Sequence, residues 1–261
     1  MTNQEYHSHM AVSKSDLDLI ARSPAHFKYI KEHKPEQTDA MLLGSVVHKL
    51  VLEPATFAAE YAVAPAVDRR TKAGKETWAE FSKAIGSETI ISSELYSKAH
   101  LIAESVKSNK IASKLLSGGK AEQSFFWADS QTGIECKCRP DYLKGNIAVD
   151  LKTTLNASPE EFVKSAYNYR YHVQAWWYLE GLRQNGINAA DFIFIAVEKE
   201  PPYSVCIYCA DELMLELGER KARENLSTYA ECLKSGIWHG YEKEPQIHSL
   251  SLPDWVIRKE F

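Results

Sequence analysis

The sequence predicts an α/β protein in one domain: a mainly helical N-terminal subregion, residues 1–117, leads into a sheet-containing core, residues 118–261. Apolar residues recur at helical spacing through much of the first 117 positions. From 121 onward three strand-like runs, "AEQSFFWA", "IECKCRPDYL" and "IAVDLKTT", follow one another across "DSQTG" and "KGN". Helical stretches then alternate with two more strand-like runs. A small mixed sheet flanked by helices accommodates that order.

Taken in order, "VSKSDLDLIARSPAHFKYIKEH" (12–33) opens on serine caps and is split by Pro24 into two short helices. Residues 38–57 read as a helix to about Leu52, ended by Pro54. "APAVDRRTKAGKETW" reads as a polar segment, and 88–117 is helical again. In the hairpin that follows, Gly145-Asn146 is a two-residue turn signal. It pairs 144 with 147, 142 with 149 and 141 with 150. The run from 158 to 186 carries helix-start signals at Ser158, Pro159 and Glu161, and a stop at Gly186. Two strands surround Pro201-Pro202, and 211–235 is a long amphipathic helix.

A net charge of -4, from 31 basic and 35 acidic residues, argues against coating nucleic acid by overall positive charge but leaves room for a local basic channel. No apolar run of about 18 residues suggests a membrane span, and the first residues lack a signal peptide's apolar stretch, so the expectation is a cytoplasmic protein. Cys136-x-Cys138 and Cys206-x-x-Cys209 lack the turn a metal knuckle needs, so the cysteines read as small buried hydrophobes.

The chemistry concentrates on the hairpin. Along 147–152, Ile147, Val149 and Leu151 share one face, while Ala148, Asp150 and Lys152 share the other. Asp141 and Asp150 would then face each other, an arrangement that destabilises a sheet. A divalent cation between them resolves the repulsion, since Mg²⁺ is held by one or two carboxylates and keeps much of its water. Lys152, two residues on, is placed to orient an attacking water or offset charge on a phosphoryl group. The string Pro140-Asp141, eight residues, Asp150-Leu151-Lys152 is by itself a weak pattern. Glu32-His33-Lys34 and Glu219-Arg220-Lys221 mimic its second half, but in helices, where residues i and i+2 do not share a face. Gln174 and Tyr178 in "HVQAWWYLEGL", and Gly44 and His48 in "GSVVHKLV", lie four apart on helices. Each pair taken alone is more often structural than functional.

Together these residues resemble the exonuclease branch of the PD-(D/E)XK nucleases, the branch similar to the RecB nuclease domain. Its members carry a helical histidine, paired acids with a lysine, and a downstream Q-x-x-x-Y helix, here His48, Asp141, Asp150-Leu151-Lys152 and Gln174…Tyr178 in that order. The resemblance to nuclease domains of the exonuclease VIII (RecE) type extends over nearly the whole chain. It implies a restriction-endonuclease-like core and an ATP-independent, Mg²⁺-dependent exonuclease, with Mn²⁺ as a substitute ion. The substrate would be the 5′-ended strand of linear duplex DNA, leaving 3′ overhangs for a RecT-like single-strand annealing protein. A ring-shaped homo-oligomer, a tetramer, is implied as well. Carried over by position, Asp141, Asp150, the Leu151 carbonyl and His48 would hold the metal. Lys152, Gln174 and Tyr178 would complete the catalytic set, with Glu122 as an auxiliary acid.

Arg69, Arg70, Lys72 and Lys75, followed by Trp78, are candidates for DNA contact, with a solvated loop as the competing reading. Two other classes remain open at this level: an inactive DNA-end-binding or annealing module, and a structural subunit of a recombination complex. Mg²⁺-dependent nucleotide release separates the enzyme from the first, and loss of activity in Asp150→Ala separates it from the second.

Overall fold

The computed structural model describes residues 1–33 and 35–260. Its N-terminal part is built from α1 (Asn3–Ser8), α2 (Lys14–Arg22), α3 (Pro24–Glu32) and α4 (Asp39–Leu52). A 3-10 turn (Pro54–Thr56) and α5 (Phe57–Glu60) lead into β1 (Tyr61–Val63), then α6 (Lys72–Ala84), β2 (Thr89–Ile91), α7 (Ser93–Ser108) and α8 (Lys110–Leu115). The core follows with β3 (Lys120–Ala121), β4 (Phe125–Ala128), β5 (Glu135–Cys138), β6 (Tyr142–Lys144) and β7 (Ile147–Thr154). It closes with α9 (Pro159–Asn168), α10 (Tyr171–Gln184), β8 (Asp191–Glu198), β9 (Val205–Cys209), α11 (Glu212–Ser235) and α12 (Asp254–Glu260).

Five strands form the central sheet in the order β3-β6-β7-β8-β9, with only β7 and β8 parallel. Helices cover both faces. Val149, Leu151, Ile195 and Val197 pack against Val46 and Val47 of α4 and Ile102 and Val106 of α7. On the opposite face, Ala148, Phe192, Phe194 and Ala196 meet Phe162 of α9 and Ala175, Leu179 and Leu182 of α10. Trp177 of α10 then packs away from the sheet with Leu17 of α2, Cys136 and Cys138 of β5, and Leu226 of α11. The strand face bearing Asp150 is therefore interior, so its charges are desolvated rather than spread on an open sheet.

Several expectations hold at residue level. Ser23 caps α3 with Pro24 in its first turn, and α4 ends at Leu52. The 144–147 and 142–149 pairs form as the turn signal requires, with Gly145 at φ 58°.

Others need correction. The run 134–143 is two strands: β5 pairs with β4, and β6 pairs with β7 and β3. The break falls at Pro140, which has no N–H to donate to a ladder. Asp141 therefore lies outside the β6–β7 ladder and is not the cross-strand partner of Asp150. The run 121–128 also divides, because Glu122 after β3 adopts a left-handed backbone at φ 50°. The stretch 158–186 is two helices, parted at Tyr169-Arg170, and Ser158 makes no side-chain capping bond. The short parallel pair β1–β2 and helix α6 interrupt segments that read as polar or helical in the sequence. Glu219-Arg220-Lys221 lies within α11, while Lys34 of the other decoy lies outside the described residues.

Candidate active site

Asp150 is the deepest charged residue of the site, 1% exposed in the middle of β7. Such a carboxylate is tolerated only with partners. Gln174 Nε2 donates to its Oδ1, and Lys152 Nζ stands 2.7 Å from its Oδ2. Gln174 reaches it because α10 lies against that face of the sheet. Lys152, two residues along β7, shares that face with Asp150. Burial alone would lower the Lys152 pKa, but Asp150 and Asp141 outweigh it and hold the ammonium above its usual range. It is a fixed cation at neutral pH.

Asp141 enters from the end of β6. Its Oδ2 accepts the Leu151 backbone N–H at 2.7 Å, a donor beyond the point where the β6 ladder has stopped. The same oxygen stands 3.4 Å from His48 Nδ1 on α4. Glu122 joins from the other side, its own N–H donating to the Asp141 carbonyl at 3.0 Å. A left-handed backbone costs a non-glycine residue roughly 1–2 kcal/mol. Strain of that kind concentrates where a side chain must be aimed.

One ligand atom each from His48, Glu122 and Asp141 lies within 4.8 Å of the others. The two acids are uncomfortable as anions. Burial, then the Asp150 charge, pushes Asp141 up to about 6, and burial, then Asp141, pushes Glu122 up to about 8. Two carboxylates that resist ionisation beside an imidazole form a donor set suited to a divalent cation, which relieves the repulsion. The group opens into a cleft of about 910 Å³ whose lining includes His48, Lys49, Glu122, Arg139 and Lys152.

A profile of the PDDEXK-like domain of unknown function, DUF3799, matches residues 13–245. The chain belongs to this PDDEXK-like family. Among solved structures, an exonuclease candidate from Eubacterium rectale shares 16% identity and a TM-score of 0.65, with 98% of this chain and 97% of that chain covered. That likeness extends the shared fold over almost the full length. A phage-related exonuclease from Haemophilus somnus 129PT shares 12% identity over 90% of this chain and 100% of that one, at a TM-score of 0.39 that carries no weight. No curated protein sequence matches.

Within this PDDEXK-like chain, the residues singled out from the sequence divide into two groups. His48, Asp141 and Glu122 gather at the cleft, and Asp150, Lys152 and Gln174 form a buried chain behind them. Asp150 adjoins the His48–Glu122–Asp141 group through its charge but is not a member of it. Tyr178 lies one turn beyond Gln174, its ring edge against Phe192, and burial raises its hydroxyl pKa well above the usual range. The phenol is therefore neutral at neutral pH.

Arg69 and Arg70 lie in the turn before α6, and Lys72 and Lys75 in its first turn, all outside the cleft lining. Arg70 pairs with Asp68 at 3.0 Å, and the Arg69 guanidinium covers the Trp78 ring at 4.0 Å. The indole is thus already stacked within the chain.

Sequence reasoning missed the surroundings of Lys152. Its Nζ lies 4.9 Å from the centre of the Tyr171 ring. Arg139, beside the signature proline, is buried with Ser124 as a hydrogen-bond partner and Tyr6 beneath it at 4.2 Å. Arg139 adjoins Pro140 and Tyr171 lies three residues before Gln174, and that proximity was the available signal.

Proposed function

We propose that this chain is a Mg²⁺-dependent, ATP-independent exodeoxyribonuclease acting on the 5′-ended strand of linear duplex DNA. The observation that carries the nuclease reading is a buried, cationic Lys152 held 2.7 Å from Asp150, beside the His48–Glu122–Asp141 donor set in one cleft. A divalent ion bound there supplies Lewis-acid polarisation of a phosphoryl oxygen.

The chain's own residues supply the rest. Asp150, oriented by Gln174, fixes the Lys152 ammonium. Lys152 in turn orients a water and offsets negative charge as it builds on the phosphorus centre. His48, Glu122, Asp141 and Asp150, with the Leu151 carbonyl, are the proposed ion-holding groups, and Tyr178 positions the strand. Mn²⁺ is expected to substitute, as both ions accept oxygen-rich sites.

The finer reading rests on the resemblance described above. It covers 5′-strand polarity, 3′ overhangs handed to a RecT-like annealing protein, and assembly into a tetrameric ring around DNA. Arg69, Arg70, Lys72 and Lys75 are proposed to bind phosphates.

The test is an end-labelled linear duplex incubated with Mg²⁺, comparing wild type with Lys152→Ala. Wild type is expected to release nucleotides from 5′ ends, and the variant to be slower by about 10²–10³-fold, the cost of losing one preorganised charge-stabilising group. Equal rates in the two proteins, or release that persists in EDTA, would sink the proposal.

A further inference from the structure

The chain enters α10 through a conformation that L-residues avoid. Arg170 sits at φ 55°, ψ 43° between α9 and α10, where glycine or asparagine would be the default. Such a residue persists only when its surroundings over-determine it. Here two helices do so. The Arg170 Nε lies 3.1 Å from Asp18 Oδ1 on α2, and its Nη2 donates to Asn225 Oδ1 on α11 at 2.5 Å. Lys14 of α2 holds the same turn, donating to the Tyr169 carbonyl at 2.8 Å while pairing with Asp18 at 2.7 Å. Just beyond, α11 presses so closely that a methyl group on Gly218 would stand 2.1 Å from the His172 carbonyl oxygen.

What this clamp holds is the start of α10, and two groups of the site lie within its first turn. Tyr171 carries the ring that faces Lys152. Gln174, whose N–H donates to the Arg170 carbonyl at 3.3 Å, sends its side chain to Asp150. Arg170 touches none of the reacting groups, yet its backbone sets the phase of the helix that delivers one of them.

We propose that Arg170 is a positioning residue for nucleotide release, one that fixes Gln174 on Asp150 through the left-handed turn that Asp18 and Asn225 clamp. This rests on the nuclease reading above.

The experiment compares wild type with Arg170→Gly, since glycine can still take these backbone angles but loses the side-chain grip of Asp18 and Asn225 that holds the turn in them. Steady-state release from linear duplex DNA with Mg²⁺ and the NMR resonance of the Gln174 side-chain amide are both measured. Expected are a kcat lower by about tenfold or more with KM within about twofold, since misplacement near the chemistry costs rate and not binding. The amide resonance should shift as its carboxylate partner is lost. An unchanged kcat, or a lower kcat with an unmoved amide, overturns the proposal. If wild type releases no nucleotide, the nuclease reading fails, whereas the amide comparison still reports whether Arg170 sets Gln174.

Discussion

Glu122 and Asp141 bind protons more tightly in the folded chain than free carboxyls do, because burial and mutual repulsion disfavour their anions. The unfolded chain therefore releases protons first, and the cation-free protein loses stability as pH rises from about 4 to about 8. A divalent ion competes with those same protons, so its affinity should climb across that window. Thermal unfolding in EDTA is expected at a lower temperature at about pH 8 than at about pH 5.5, and added Mg²⁺ to raise it more at the higher pH. Each tenfold excess of ion over its Kd adds about 1.4 kcal/mol. A transition indifferent to Mg²⁺ at both pH values would remove the cation from this site. At the same scale, the pair formed by Lys152 and Asp150 is interior, so truncating either side strands the other charge. Asp150→Ala is accordingly expected to lower stability as well as activity, by about 3–5 kcal/mol in denaturant titration.

Elements, rather than single side chains, decide how the site is assembled. β7 is the middle strand of a sheet covered on both faces, so its charges meet α10 and not solvent. The approach of α11 to α10 depends on Gly218, where an added Cβ would collide with backbone atoms that cannot rotate away. Gly218→Ala is expected to cost about 1–3 kcal/mol, seen as a lower urea midpoint with an unchanged slope. Gly44 on α4 is the contrasting case. A Cβ there meets only Thr153 Oγ1 at an ordinary 3.5 Å. Gly44→Ala should stabilise by about 0.5–1 kcal/mol through helix propensity, by the same measurement. Equal effects of opposite assignment would mean that these helices pack differently. The element boundaries that escaped the sequence share a cause. Tyr169-Arg170 contains neither glycine nor proline, and the turn there is held by α2 and α11, which lie far away along the chain. Pro140 did mark a break, but hydrophobic alternation through Cys136, Cys138 and Tyr142 ran across it.

For the molecule as a whole, overall charge and the proposed substrate pull in opposite directions. A chain of net charge -4 must concentrate positive potential locally to hold DNA. Replacing Arg69 and Arg70 by Gln is expected to weaken duplex binding and to flatten the slope of log K against log salt by up to about 2, roughly 0.9 for each phosphate no longer neutralised. An unchanged slope would assign the start of α6 to solvated surface, consistent with the Arg70–Asp68 pair seen there. The proposed ring is checked by light scattering, with a monomer at micromolar concentration as the result that excludes it. No single helix among the described residues is long and apolar enough to cross a membrane.

Residue types and their spacing determined the fold class, the hairpin register from Lys144 to Tyr142, and the candidate cluster of Asp141, Asp150 and Lys152, while His48, Gln174 and Glu122 were added by the resemblance to a nuclease branch. Local rules reach that far because turn chemistry and strand alternation act over a few neighbouring residues. Only the tertiary structure decided how those six divide. Asp141 bonds the Leu151 N–H and approaches His48 and Glu122, while Asp150 is turned inward to Gln174 and Lys152. Which carboxylate meets which partner depends on where α4 and α10 dock on the sheet, and on desolvation that exists only once both faces are covered.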